Sequence, residues 1–261
     1  MATRRKMFED SQKIYYASQT AGLLIQHFKD QVSIDEDASG SGALDSRIAG
    51  HLMHCLNQTG ICTHFVRRLN MRELLVQEVG LLPVSVVSHT IVSADLAARF
   101  GIQEGTALAR PLLEFYYHSP QQMGQPTLVG EDHIRGFGWI AEDELQDMIS
   151  HALRAHDFLS GLFMAAGLCL CEVHLKFGRF FDPVTESSRI VIADGPTPET
   201  LCLKYIESST YISTLSLHRE AELPVKVRKL IGQKLGLLAT QGTTEYIAPW
   251  FRMFRKGPRV L

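Results

Sequence analysis

The stretch from Glu142 to Phe177 constrains the fold more than any other part of the chain. Leu145, Met148, Ile149, Ala152, Leu153, Leu159, Leu162 and Phe163 recur mostly at three- and four-residue steps, the period of a helix with one buried face. Glu142, Asp143 and Glu144 load the first turn with negative charge, where the helix dipole favours it. Gly167 supplies a stop. A helix predicted over Glu142–Ala166 therefore runs into a strand predicted over Leu168–Phe177. Late in that strand the period becomes two. Val173, Leu175 and Phe177 point to a core, while Glu172, His174 and Lys176 line the other face. A half-buried sheet covered by a long helix is an α+β arrangement.

The rest of the chain agrees with that class. Lys13–Tyr16 and Leu23–Phe28, separated by Ser18-Gln19-Thr20-Ala21-Gly22, read as a β-hairpin. Ser33–Gly42 is small and polar and reads as a loop. Leu44, Ile48, Leu52, Met53 and Leu56 predict a helix over Ala43–Gln58, ended near Gly60. Strands are expected at Cys62–Leu69, Glu73–Val79, Val84–Val92, Leu112–Tyr117 and Arg189–Ala193. Short helices are expected at Ala94–Phe100, closed by Gly101, and at Pro224–Leu238.

Composition narrows the function. At roughly 150 residues per domain, 261 residues make one large domain or two packed ones. A net charge of −2 leaves no basic field to hold nucleic acid or an anionic membrane. The apolar stretch Leu162–Cys171 is far shorter than the roughly 20 residues of a membrane span. No apolar run follows the basic N-terminus, so no signal peptide is expected. Cys55, Cys62, Cys169, Cys171 and Cys202 are odd in number with no C-x-x-C pair, which suggests reduced thiols in a cytoplasmic protein. No phosphate-loop, dinucleotide or nucleophile-elbow motif occurs. His51 and His54 lie three apart on a helix, but no third metal ligand is evident.

The Glu172-His174-Lys176 ladder puts an acid, an imidazole and an amine side by side. Its plain alternative is the solvated face of a half-buried sheet. The run ending in Asp194 could pair with this strand and add a carboxylate at a strand end, a common way to hold Mg²⁺.

Several segments, in order and in register, resemble the SAICAR synthetase (phosphoribosylaminoimidazole-succinocarboxamide synthase) family. They are Phe28-Lys29-Asp30, Gly60–Glu73, Arg99–Gly105, Glu114–Tyr117, Glu131–Ile134 with Gly136–Trp139, and Phe177-Gly178-Arg179. The match extends from about Arg5 to about Leu235. The resemblance implies a small N-terminal antiparallel β region of ATP-binding type over residues 1–80. This would pack on a larger α+β substrate region over residues 81–241, with a cleft between. Residues 242–261 would be an extra tail, with Trp250, Phe251, Arg252, Phe254, Arg255, Lys256 and Arg259 close together.

The resemblance also implies chemistry. ATP phosphorylates the carboxylate of a carboxyaminoimidazole ribonucleotide, and the amine of aspartate displaces the phosphate to form an amide. That is a step of purine biosynthesis, and it uses Mg²⁺. By position, Glu172, His174 and Lys176 would be catalytic. Glu9, Lys13 and Lys29 would face the nucleotide, Glu131, His133 and Arg179 the substrate, and Asp194 the metal. The implied partners are small molecules, a nucleotide and aspartate, with no nucleic acid and no membrane. An oligomer or a protein partner stays open.

Against the family's motifs the ligand positions differ. Its Y-E-G-K-A-K is Phe8–Lys13, with Asp10 for the glycine and Ser11 for the first lysine. Its G-K-G-x-x-N-N is Gly40–Ser46, with Ser41, Asp45 and Ser46 replacing the lysine and both asparagines. Gln77 stands for a basic hinge residue. His89 and Asp95 replace the arginine and serine of a phosphate site, and Cys202 replaces a second arginine. Lys176 replaces a metal-binding glutamate, and Gly195 replaces the acid after Asp194. Three readings follow: an active ligase of the family, a ligase with a changed substrate, or a non-catalytic paralogue that binds or regulates.

Overall fold

The computed structural model describes residues 4–30, 40–119, 126–182, 185–208, 210–213 and 223–238. Residues 33–39 of the predicted loop and the tail at 242–261 lie outside them. Two antiparallel sheets carry the fold. The first contains β1 (Lys6–Glu9), β2 (Lys13–Ala17), β3 (Leu23–Phe28), β4 (Phe65–Arg68) and β5 (Glu73–Gln77), in the order β1-β2-β3-β5-β4. Between β3 and β4 runs α1 (Ser41–Gln58).

The second sheet begins with the short β6 (Gly80–Leu81) and β7 (Val84–Ile91). After α2 (Ala94–Phe100) come β8 (Ala107–Tyr117) and β9 (Thr127–Val129). Then α3 (Glu131–Gly136) and α4 (Glu142–Ala165) lead to the long β10 (Leu168–Asp182). It ends with β11 (Ser187–Ala193), a 3₁₀ turn at Pro198–Thr200, β12 (Leu201–Tyr205), β13 (Tyr211–Ser213) and α5 (Val225–Lys234). The strand order is β13-β12-β10-β7-β8-β9, with β6 and β11 also on β10.

The long helix α4 covers this second sheet. Its Leu145, Met148, Ala152, Leu159, Leu162 and Phe163 share the main core with Val173, Leu175 and Phe177. The first helix serves both sheets, because its apolar residues exceed one stripe. Ala49 and Met53 pack with Tyr15, Leu24, Phe28, Leu74 and Val76 of the small sheet. Ile48, Leu52 and Leu56 belong to the main core.

Some boundaries differ from the expectation. α1 starts two residues early because Asp30 Oδ1 accepts from the backbone N–H of Gly40 (3.1 Å) and Gly42 (3.0 Å), which satisfies the helix start. Gly42 must be small there, since a Cβ would lie 2.5 Å from the Phe28 carbonyl oxygen. The strand expected at Cys62–Leu69 is shorter. Its first half leaves the small sheet, and Cys62 and His64 trade backbone hydrogen bonds with Ile192 of β11. β10 runs past Phe177 to Asp182, because β11 continues to pair with it as a half-exposed ribbon. No helix of the described residues is long and apolar enough to cross a membrane.

Candidate functional site

The polar ladder depends on one irregularity in β10. Leu168 and Leu170 face the main core, and so do Val173, Leu175 and Phe177. An even alternation cannot connect those two sets. A bulge between Leu170 and Glu172, where β10 pairs with β12, inserts the extra residue. After the bulge, Glu172, His174 and Lys176 take the face away from α4. Register then puts Glu172 opposite His89 of β7 and Lys176 opposite Ala193 of β11, one residue before Asp194.

Asp194 is the centre where the two sheets meet. Its carboxylate Oδ1 accepts from Lys13 Nζ at 2.6 Å and from the Tyr15 hydroxyl at 2.6 Å. Its Oδ2 accepts from Lys176 Nζ at 2.8 Å. Lys13 Nζ also donates to the Asp194 carbonyl at 2.9 Å. Gln26, wholly buried, donates to the Tyr15 oxygen at 2.7 Å. The Asp194 backbone N–H donates to His64 Nε2 at 3.2 Å, so that nitrogen carries no proton. Burial lowers His64 to about 4, in keeping with that role. Burial alone would raise the Asp194 pKa, but Lys13 and Lys176 hold it well below the usual carboxylate range. Asp194 has a φ of +60°, a left-handed conformation that aspartate tolerates better than most residues.

A second charge chain occupies the other end of the ladder. His89 is buried, with Nδ1 2.8 Å from Glu172 Oε1 and Nε2 3.2 Å from Glu114 Oε2. Glu114 also accepts from Arg99 at 2.8 Å and from the Tyr116 hydroxyl at 3.0 Å, and Arg99 pairs with Asp95 at 2.9 Å. Burial opposes a charged imidazole, but the two carboxylates outweigh it and push His89 up to about 9. The folded value lies above the ordinary 6.5 or so. The clamp therefore stabilises fully below about pH 6.5, and that stability is lost as pH rises through about 9. Urea denaturation from pH 6.5 to 9.5 is expected to show a falling stability that His89→Gln flattens. An equal slope in that variant would exclude the clamp as its source.

Between these groups sits His174. Burial first, then the charge of Lys176, lowers it to about 3, so it is neutral. Its Nε2 is buried without a hydrogen-bond partner, and its ring lies parallel to that of His118 at 6.3 Å.

The other expected site residues lie apart. Lys29 Nζ donates to Glu9 at 3.0 Å and to the Asp10 carbonyl at 2.6 Å. Asp10 Oδ1 accepts from the backbone N–H of Gln12 and Lys13, which ties down the turn between β1 and β2. Arg179 is on the α4 side of its strand, paired with Glu144 at 2.7 Å. His133 Nδ1 accepts from the Gly130 N–H at 3.0 Å, and Glu131 pairs with Arg135 at 2.7 Å. The ladder thus gathers Glu172, His174, Lys176, Asp194 and Lys13. Glu9 with Lys29, Glu131 with His133, and Arg179 stand in separate ion pairs or turns. Sequence reasoning did not single out Tyr15, Gln26, His64, Arg99, Glu114 or Tyr116 as site residues. Arg99, Glu114 and Tyr116 lie in segments that carried the resemblance, which was the available signal.

A family model described as SAICAR synthetase matches residues 9–216. The chain belongs to the SAICAR synthetase family. It is 36% identical to the phosphoribosylaminoimidazole-succinocarboxamide synthase of Rhodospirillum centenum, over 95% of this chain and 98% of that one. It is 37% identical to the corresponding synthase of Gluconacetobacter diazotrophicus, over the full length of both. Among solved structures, the synthase of Ehrlichia chaffeensis superposes with a TM-score of 0.78 at 28% identity, covering 90% of this chain and 100% of that one. A SAICAR synthetase solved with ADP shares the fold at a TM-score of 0.73 and 23% identity, over 87% of this chain and 96% of that one. The α+β architecture is that of the SAICAR synthetases.

The residues present do not fit a divalent cation at Asp194. Both its carboxylate oxygens are engaged, by Lys13, Tyr15 and Lys176, and the two ammoniums beside it repel a cation. Among the described residues no group of three or more His, Cys, Asp or Glu side chains is placed to hold a metal.

Proposed function

We propose that this chain keeps the SAICAR synthetase scaffold without the ATP- and magnesium-dependent ligase reaction. It would act as a non-catalytic binding or regulatory member of the family. The observation that carries this reading is the Lys13–Asp194–Lys176 group, in which two ammoniums neutralise the carboxylate that the resemblance assigns to the metal. The His89–Glu114–Glu172 clamp supports it. A phosphate dianion would meet two buried carboxylates there, with the imidazolium already committed to them.

Magnitudes favour the same conclusion. Charge-assisted hydrogen bonds are each worth about 1.5–3 kcal/mol. Ser11, Ser41 and Gln77 remove three such donors on the nucleotide side. Lys29 is drawn to Glu9 and the Asp10 carbonyl. Two lost contacts, at the lower figure, already weaken binding by about a hundredfold.

Calorimetry with Mg-ATP tests the proposal. The expected dissociation constant is millimolar or weaker, with no difference between excess Mg²⁺ and a chelator. A micromolar constant at physiological salt would overturn it and restore the ligase reading, in which case the ribonucleotide and aspartate are the substrates to add.

A further inference from the structure

β10 and β12 bring three of the five cysteines together. Cys171 and Cys202 are buried, at 1% and 4% exposure, in a small cluster with Ile91. Cys169 and Tyr211 pack against it. The bulge explains the arrangement. Leu170 pairs with Leu203, and Glu172 pairs with Cys202, so Cys171 is the residue without a partner of its own and stands at the Cys202 position. The two thiols share this one small cluster, and the neighbouring Cys202 thiol, followed by burial, pushes the Cys171 thiol up. Cα atoms of opposed residues on antiparallel strands lie about 4.5–5.5 Å apart, and Cys171 is one residue removed from the opposed pair Glu172–Cys202. A disulfide spans Cα separations of about 4.4–6.8 Å.

We propose that Cys171 and Cys202 are the site of a reversible intramolecular disulfide, formed with a peroxide as oxidant. One cysteine sulfur, as thiolate, attacks a peroxide oxygen and the O–O bond breaks. The departing hydroxide takes up the proton as water, leaving a sulfenic acid. The second sulfur attacks this one, the S–O bond breaks, and a second water leaves with the remaining proton. Two thiols have lost two electrons, and one hydrogen peroxide has become two waters. Cys202 is the less buried of the pair and reacts first. The burial that makes both thiols slow towards single-site reagents keeps the sulfenic acid next to its partner rather than in solvent.

The location gives the bond a consequence. Cys171 precedes Glu172, and Glu172 holds His89. The bulge that the disulfide would close also decides which face the ladder occupies. The oxidised form therefore holds the β10–β12 register at the residue that positions the His89 clamp. This inference does not depend on whether the site is catalytic.

The test uses the folded full-length protein and hydrogen peroxide. After quenching and denaturation, thiol titration is expected to show the loss of two of the five thiols, restored by dithiothreitol. Non-reducing peptide mapping with fragmentation should place the link between Cys171 and Cys202. Cys169→Ser should retain it, while Cys171→Ser and Cys202→Ser should lose it. The wild-type map decides the matter even if a variant fails to fold. Five thiols retained, a link through Cys169, an intermolecular link, or irreversible oxidation without a link would each overturn the proposal.

Discussion

Arg228→Met is expected to cost about 3–5 kcal/mol of folding stability, the range found when one partner is removed from a buried charge cluster. Arg228 is 1% exposed and reaches three acceptors on different parts of the chain. Its Nε donates to Asp45 of α1 at 2.8 Å, Nη2 pairs with Glu199 of the 3₁₀ turn, and Nη1 donates to the Leu223 carbonyl. One guanidinium thus ties α5 to α1 and to the segment after Asp194. Arg228 faces two acids, Asp45 and Glu199. Burial is the main reason that Asp45 rises to about 7, with Glu199 adding to it and Arg228 opposing it.

The sign of the pH dependence follows. A carboxyl with a folded pKa above its ordinary value of about 3.9 binds more protons folded than unfolded, so stability falls as pH rises from about 4 to about 7. Without Arg228 both acids lose this cation, and the fall should extend to higher pH. Urea denaturation at pH 5 and pH 8 measures this directly. Adding Asp45→Asn to Arg228→Met should recover part of the loss, because it removes one buried charge. A change below about 1 kcal/mol, the size of an exposed pair, would mean that the cluster is solvated and holds nothing together.

Asp45 also shows how far the sequence could be read. Its helix was legible, because Ile48, Leu52, Met53 and Leu56 set a period that local rules recognise. The guanidinium that neutralises it comes from position 228, and no periodicity connects residues so far apart. The ladder was legible for a similar reason. Glu172, His174 and Lys176 alternate with apolar residues over a short span. The bulge that gives this alternation its phase was not legible, since it arises from pairing with β12. Ser11, His89 and Asp95 could be flagged only against the family motif, as could the expectation of an acid at Lys176. What each substitution meets in space required the structure. His89 meets two acids, and Lys176 meets Asp194. In both places a charge is balanced by charges of opposite sign on neighbouring strands. The core strands around them retain full burial.

The same balance of charge predicts that Lys176→Glu creates a dependence on magnesium that is not expected of the parent. Lys176 is half exposed and 2.8 Å from Asp194, between the limits of a surface and a buried pair. Its removal should cost about 1–3 kcal/mol, with the new carboxylate adding repulsion. The introduced carboxylate and that of Asp194 would then offer two neighbouring acids, the chemistry a hard divalent cation takes. Binding to the folded state alone stabilises by RT ln(1 + L/Kd) at free ligand concentration L, about 2.7 kcal/mol at a hundred times the dissociation constant. The variant should melt lower than the parent in a chelator and recover as Mg²⁺ is added. The parent and Lys176→Gln should be indifferent to Mg²⁺. Adding Ser11→Lys should raise Mg-ATP affinity by more than the sum of the two single changes, because both alter the charge that one ligand meets, whereas His89→Arg with Asp95→Ser should act on binding of the ribonucleotide. A folded Lys176→Glu variant that ignores Mg²⁺ would show that Lys13 alone is enough to close Asp194 to a metal. In that case Lys13, rather than Lys176, separates this site from a metal-binding one, and Lys13→Ala in the same background becomes the variant that must respond.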